Sequence, residues 1–134
     1  MSKRQHELGD AELEVLKVLW DEGPAVVREV MNRLHQCGRE VAYTTVLTFL
    51  TRLEQKGYVR SDKSGLAYLY TPVVSRERVT KSRLRNLMDQ LYDGAAAPMV
   101  LHLIRSERFS SNEIEQLHDL IDALDKKPKK ARKK

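Results

Sequence analysis

A single cysteine, Cys37, stands among 134 residues, so no internal disulfide can form and a reducing compartment is compatible with the chain. No stretch approaches the roughly 20 consecutive apolar residues that span a bilayer. The opening MSKRQHELGD has no apolar signal core. A cytoplasmic protein without direct membrane insertion is therefore expected. Also missing are a glycine-rich phosphate loop, a nucleophile motif and a carboxylate pair away from helix surfaces, so an enzyme is not expected. Metal-ligand patterns are equally thin. His35-x-Cys37 is the only local spacing of that kind, and two ligands do not close a zinc site. No metal or cofactor is expected, and Cys37 at a helix end reads as a small buried hydrophobe. His6, His102 and His118 carry no pattern.

Net positive charge is also absent from the body of the chain. The last nine residues, KKPKKARKK, hold seven cations, so the formal +5 of the whole becomes −2 over residues 1–125. A high pI does not by itself make the body a polyanion binder; the placement of its charges decides that. Residues 126–134 have only Ala131 to pack and are expected to form a disordered basic tail. Such a tail could serve as a non-specific DNA-affinity arm.

What the chain does have is helical periodicity. Asp10 precedes AELEVLKVLWDEG, with Glu12 and Glu14 near the positive helix start and Gly23 beyond its end. Leu13, Leu16, Val18, Leu19 and Trp20 supply its apolar face. After Pro24, a second helix over about Val26 to Cys37 buries Val27, Val30, Met31 and Leu34 and stops at Gly38. A short connector, Arg39-Glu40-Val41, leads to a third helix from Ala42 to Lys56, closed by Gly57. Two helices joined by so short a turn read as a helix-turn-helix, the last helix entering the major groove.

That third helix, AYTTVLTFLTRLEQK, organises the rest. Val46, Phe49, Leu50 and Leu53 form one apolar stripe. Thr44, Thr45, Thr48 and Thr51 lie on the other faces, although β-branched residues lose rotamer freedom in a helix. Solubility alone would be served better by Glu, Lys and Gln. Hydroxyls can reach phosphates and base edges, and methyls can meet thymine methyls. Thr45, Leu47 and Thr48 are expected at base edges; Tyr43, Thr44 and Arg52 are expected at phosphates, with Lys56 beside them.

Beyond Gly57 the apolar period changes to two. Tyr58 to Asp62 and Leu66 to Tyr70 flank Lys63-Ser64-Gly65, which fits a hairpin with a three-residue bulged loop, and Pro72 ends the second strand. A hairpin that merely closes a core accounts for Tyr58 and Leu69. Arg60 and Lys63 are cations where phosphates would lie against a wing. Ser75 then caps a helix to Asp93, Gly94 to Pro98 breaks it, and Met99 to Ile104 is nearly apolar all round and expected to be buried. Ser110-Ser111-Asn112-Glu113 is a capping box for a last helix.

Three helices in some 50 residues cannot easily bury this much apolar surface alone, and a second copy would cover it. The expected dimer contacts are Leu84, Leu87, Met88 and Leu91, then Val100, Leu103 and Ile104, then Leu117 and Ile121. The fold class is mainly α with a small β-hairpin wing. A winged helix-turn-helix occupies 1–74, a helical dimerisation region 75–125 and a basic tail 126–134. Two functions suit this plan: a DNA-binding regulator, or a winged-helix adaptor that binds protein without sequence-specific DNA binding. Steep loss of affinity with salt marks the former.

Tyr43 to Gly57 also resembles the YTTV-x-T-x-L-x-RL-x-x-KG recognition helix of the penicillinase repressors and their relatives, the BlaI/MecI group of bacterial winged-helix regulators. Glu12 to Trp20 is similar to that family's opening E-x-x-V-[ML]-x-x-[LI]-W pattern, and Asn112 to Leu117 to its last helix. The resemblance covers about residues 7–124. It implies a homodimeric repressor on a double-stranded DNA operator with TACA/TGTA-like inverted half-sites. It further implies release through a membrane sensor metalloprotease and cleavage at an Asn-Phe bond in the fifth helix. His102-Leu103 aligns with that bond and lacks the asparagine. Leu47 stands where the penicillinase repressors carry a basic side chain, which points to a different operator. The C-terminal cysteine pairs of a copper-responsive branch are absent.

Overall fold

Apolar residues at helical spacing, interrupted by glycine and proline, divide the N-terminal half into short helices around one core. The computed structural model describes residues 8–126. Its elements are α1 (Asp10–Glu22), β1 (Ala25–Val26), α2 (Val27–Gln36), α3 (Tyr43–Gln55), β2 (Val59–Asp62), β3 (Leu69–Pro72), α4 (Arg76–Tyr92), α5 (Ala96–Ser106) and α6 (Ser111–Lys126). The chain divides into two units, the first ending at Leu84 and the second beginning at Arg85.

In the first unit, α1, α2 and α3 surround Leu16, Val30, Val46, Leu50 and Leu53, all at 0% exposure. Val59 and Tyr70 close this core from the sheet. The two helices of the helix-turn-helix end in the same way. After α2, Arg39 N–H reaches the Leu34 carbonyl at 2.8 Å and Gly38 N–H the His35 carbonyl at 3.0 Å. After α3, Tyr58 N–H reaches Leu53 at 2.9 Å and Gly57 N–H reaches Glu54 at 3.1 Å. Gly38 and Gly57 both have φ of 88°, the left-handed conformation that this closure needs and that a Cβ disfavours.

Several expectations are corrected here. Helix α1 begins at Asp10 with Gly9 as its cap, and the Glu12 carboxylate accepts the Gly9 N–H at 3.1 Å. The wing is part of a three-stranded antiparallel sheet of order β1-β3-β2, because Ala25 and Val26 pair with Tyr70 and Leu69. Two residues are too few to show an alternating pattern, so β1 was invisible in the sequence. Asp62 pairs with Leu69, so the wing loop runs from Lys63 to Tyr68 and is twice the expected length. Leu66 lies in that loop at 108% exposure. The shifted register turns Tyr70 inward, 2% exposed, and Leu69 outward, 37% exposed. Cys37 is exposed, since it sits at the α2 C-cap beyond the buried face.

In the second unit, the capping box of α6 forms as expected. Ser110 N–H donates to Glu113 at 2.9 Å, and Glu113 N–H to the Ser110 hydroxyl at 3.1 Å. The expectation that Met99 to Ile104 is buried fails for the single chain. Only Met99 is buried; Val100, Leu101, Leu103 and Ile104 are 39–48% exposed. One face of an 11-residue helix contacts its own chain, and an apolar residue on every face leaves the others uncovered. Lys126 closes α6 and is not part of a tail; the expectation for residues 127–134 lies outside the described residues.

Candidate nucleic-acid interface

Burial of Val46, Leu50 and Leu53 decides which way the rest of α3 points. Thr44, Thr48, Thr51, Arg52 and Gln55 make an exposed arc on the opposite side, with Thr45 and Leu47 half-buried at its margins. Leu47 packs partly against the core, so only part of its side chain reaches outward. The Thr48 hydroxyl donates to the Thr44 carbonyl at 2.9 Å. Its proton is thereby occupied, and outward it offers a methyl and an acceptor lone pair. Tyr43, at the first turn, is 43% exposed and lies under the Arg28 guanidinium, 5.5 Å from the ring centroid.

Two polar links fix this helix to its neighbours. At its C-terminal end Lys56 donates to Glu12 at 2.7 Å, which pins α3 to the start of α1. Burial pushes the Glu12 carboxyl up, but its hydrogen bonds from Lys56 and Gly9 and the charges of Lys56 and Arg52 outweigh it. The result is a carboxyl below its ordinary value. Farther along, Glu54 accepts from the Ser61 hydroxyl at 2.8 Å and the Ser61 N–H at 3.3 Å, joining α3 to β2. The wing therefore has a defined position beside the recognition helix. Tyr70 lies behind this joint; burial pushes its phenol up, helped by the charge of Glu54.

The wing carries its own order. Asp62 accepts from the Ser64 hydroxyl at 2.7 Å and the Ser64 N–H at 3.0 Å, and these bonds hold its carboxyl below the usual range. Lys63 lies over Tyr68, 5.4 Å from the ring centroid, and Arg60 projects from β2, exposed. Of the expected residues, Tyr43, Thr44, Thr48 and Arg52 are exposed on α3, Thr45 and Leu47 are marginal, Arg60 and Lys63 are on the wing, and Lys56 is engaged by Glu12. Sequence reasoning placed Thr51 on the outward faces without assigning it a contact, and passed over Gln55 and Arg28. Thr51 and Gln55 follow from extending the three-four-seven spacing of Thr44 and Thr48. Arg28, on the preceding helix, had no local signal. No helix among the described residues is long and apolar enough to cross a membrane.

A helix-turn-helix with a three-stranded wing, and a hydroxyl-rich exposed arc on its last helix, define a winged-helix protein of the DNA-binding class. Comparison with known proteins places it further. The penicillinase repressor family model matches residues 8–123, and the chain belongs to that family. It is 26% identical to a penicillinase repressor of Staphylococcus aureus over 127 residues, 95% of this chain and 100% of that one. It is 28% identical to a penicillinase repressor of Bacillus licheniformis over 120 residues, 90% and 93% of the two chains. With the methicillin resistance regulatory protein MecI of Mammaliicoccus sciuri it shares 25% identity over 122 residues, 91% and 98%. The family is one of transcriptional repressors, not enzymes.

Proposed function

We propose that this repressor acts as a homodimer that reads an inverted-repeat operator in double-stranded DNA, in the cytoplasm. The observation that carries the proposal is the exposed arc of α3, opposite a stripe of residues at 0% exposure. Thr45, Leu47 and Thr48 read base edges; Tyr43, Thr44 and Arg52 hold phosphates; Arg60 and Lys63 meet the backbone beside the wing. Lys56 contributes positive potential at the helix end while paired with Glu12. Residues 1–74 serve as the DNA-reading domain and 75–125 as the dimerisation region.

Dimerisation is supported by apolar surface that one chain leaves uncovered. Leu84, Leu87 and Leu91 on α4, Val100, Leu103 and Ile104 on α5, and Ile121 on α6 are 39–64% exposed. Met88 and Leu117 are half-buried beside them. Large apolar side chains left in solvent in this number mark protein contacts. A two-fold dimer would set two recognition helices about 34 Å apart, one DNA turn, or a multiple of it.

Release by proteolysis, on this reading, falls in α5. His102 and Leu103 are exposed, yet the Ser106 hydroxyl donates to the His102 carbonyl at 2.8 Å within an intact helix. Cleavage at this bond therefore requires the turn to open first. A membrane sensor metalloprotease is the partner that such release calls for.

The test is selection of bound duplexes from a random library by the full chain, with sedimentation of the free protein. An inverted repeat of two half-sites and a dimer are expected, with the half-site departing from the family's TACA/TGTA-like sequence where Leu47 reads. Leu87→Glu with Ile121→Glu should give a monomer that keeps half-site binding. A selected pool without repeat symmetry, or affinity indifferent to salt, would remove the proposal.

A further inference from the structure

The contacts at the root of α4 form a second polar cluster, separate from the DNA-facing arc. The Trp20 indole N–H donates to the Val74 carbonyl at 2.9 Å, fixing the segment that leads into the helix. Arg76, the first residue of α4, lies over the Trp20 ring, 5.4 Å from its centroid, and its guanidinium meets Asp21 at 2.6 Å. Two turns on, the Arg83 guanidinium donates to the Leu8 carbonyl at 2.7 Å, across 75 residues of sequence. Between them Val79 packs on the core of the winged domain. The α4 root is therefore held at both ends of its first two turns, by the C-terminal end of α1 at Arg76 and by Leu8, just ahead of α1, at Arg83.

Energy is not the reason to hold it this way. The Arg76–Asp21 pair is half exposed, 52% and 48%, and such pairs add little stability. Direction is what two separated polar contacts and a ring stack provide. Helix α4 has 17 residues and is about 25 Å long at 1.5 Å per residue. A 10° swing at its root would move its far end by about 4 Å, more than the ~3.4 Å between successive base pairs.

We infer that Trp20, Arg76 and Arg83 are positioning residues that set the separation of the two half-sites the dimer reads. They touch no DNA. They act by fixing the direction in which α4 leaves the recognition domain. The inference rests on the dimeric-operator reading, and its test separates the two.

Full-length wild type, Arg76→Ala/Arg83→Ala and Trp20→Phe are titrated by fluorescence anisotropy against three sets of duplexes. These are the operator selected by the wild type, the same operator with one to three base pairs inserted or removed at its centre, and a single half-site. The double variant loses the exposed Arg76–Asp21 pair, the Arg76 stack on Trp20 and the part-buried Arg83–Leu8 bond, and Trp20→Phe keeps an aromatic ring but not the indole N–H. Both should bind the half-site within twofold of wild type. Both should lose about tenfold on the best spacing, as the second half-site's effective concentration falls, and discriminate less among spacings. Variants with the wild-type spacing profile would overturn the inference and leave the dimeric reading intact. So would variants whose half-site and operator affinities fall in equal ratio, since that places the effect on the recognition helix. A wild type indifferent to spacing would overturn both.

Discussion

Replacing Glu12 by Gln tests how the recognition helix is anchored. The Glu12 side chain is 7% exposed and its partner Lys56 27%, joined at 2.7 Å. Exposed pairs contribute about 0–1 kcal/mol, and breaking a fully buried one costs about 3–5 kcal/mol. This pair lies between, and the Gln oxygen can still accept from Gly9 and Lys56, so a loss of about 1–2 kcal/mol follows. For a domain of 60–100 residues that is on the order of 10 °C in melting temperature. The pH dependence supplies the sharper check. The native carboxyl sits below its ordinary value, so the folded state binds that proton more weakly than the unfolded chain does. The stabilisation is then complete above the unfolded value of about 4.3 and is lost as pH falls through the lower native one. Urea unfolding followed by far-UV circular dichroism, at fixed protein concentration, should give a constant gap between wild type and variant from neutral pH down to about 5. The gap should close below about 4.3. Equal stabilities at neutral pH, or a gap that persists unchanged into acid, would refute the anchoring role.

Other expectations concern DNA. Arg52→Ala should weaken operator and random duplex alike and reduce the salt slope by about one contact, measured by anisotropy across a salt series. Leu47→Ala should cost on the order of 1 kcal/mol at one base position and spare random DNA, as read from single-substitution operators; equal losses on both would show that Leu47 reads no base. Ser61→Ala removes the 2.8 Å bond to Glu54 and should loosen the wing, lowering operator affinity more than melting temperature. Deleting residues 127–134 should leave melting temperature and half-site preference unchanged while flattening the salt dependence on random duplex by about 0.9 per lost phosphate contact.

The sequence by itself determined the elements whose signals are local and repeated. Val46, Leu50 and Leu53 at helical spacing placed α3 and its exposed face, and Gly38 and Gly57 marked where α2 and α3 stop. The Ser110–Glu113 capping box marked the start of α6 in the same way. These features lie within a few residues of chain, so propensity and period suffice to read them. Tertiary structure decided what depends on partners distant in sequence. Strand β1 exists because β3 offers it an edge, and the hairpin register followed from burying Tyr70 instead of Leu69. Cys37 became exposed because α2 turns its other face to the core. The pairing of Lys56 was hidden because no local pattern announces a buried acid 44 residues earlier; the fold brings Glu12 to it. The clamp of Trp20, Arg76 and Arg83 was hidden for the same reason. A single side chain meeting a carbonyl or a ring across the chain leaves no periodicity, and only the folded backbone brings the two together.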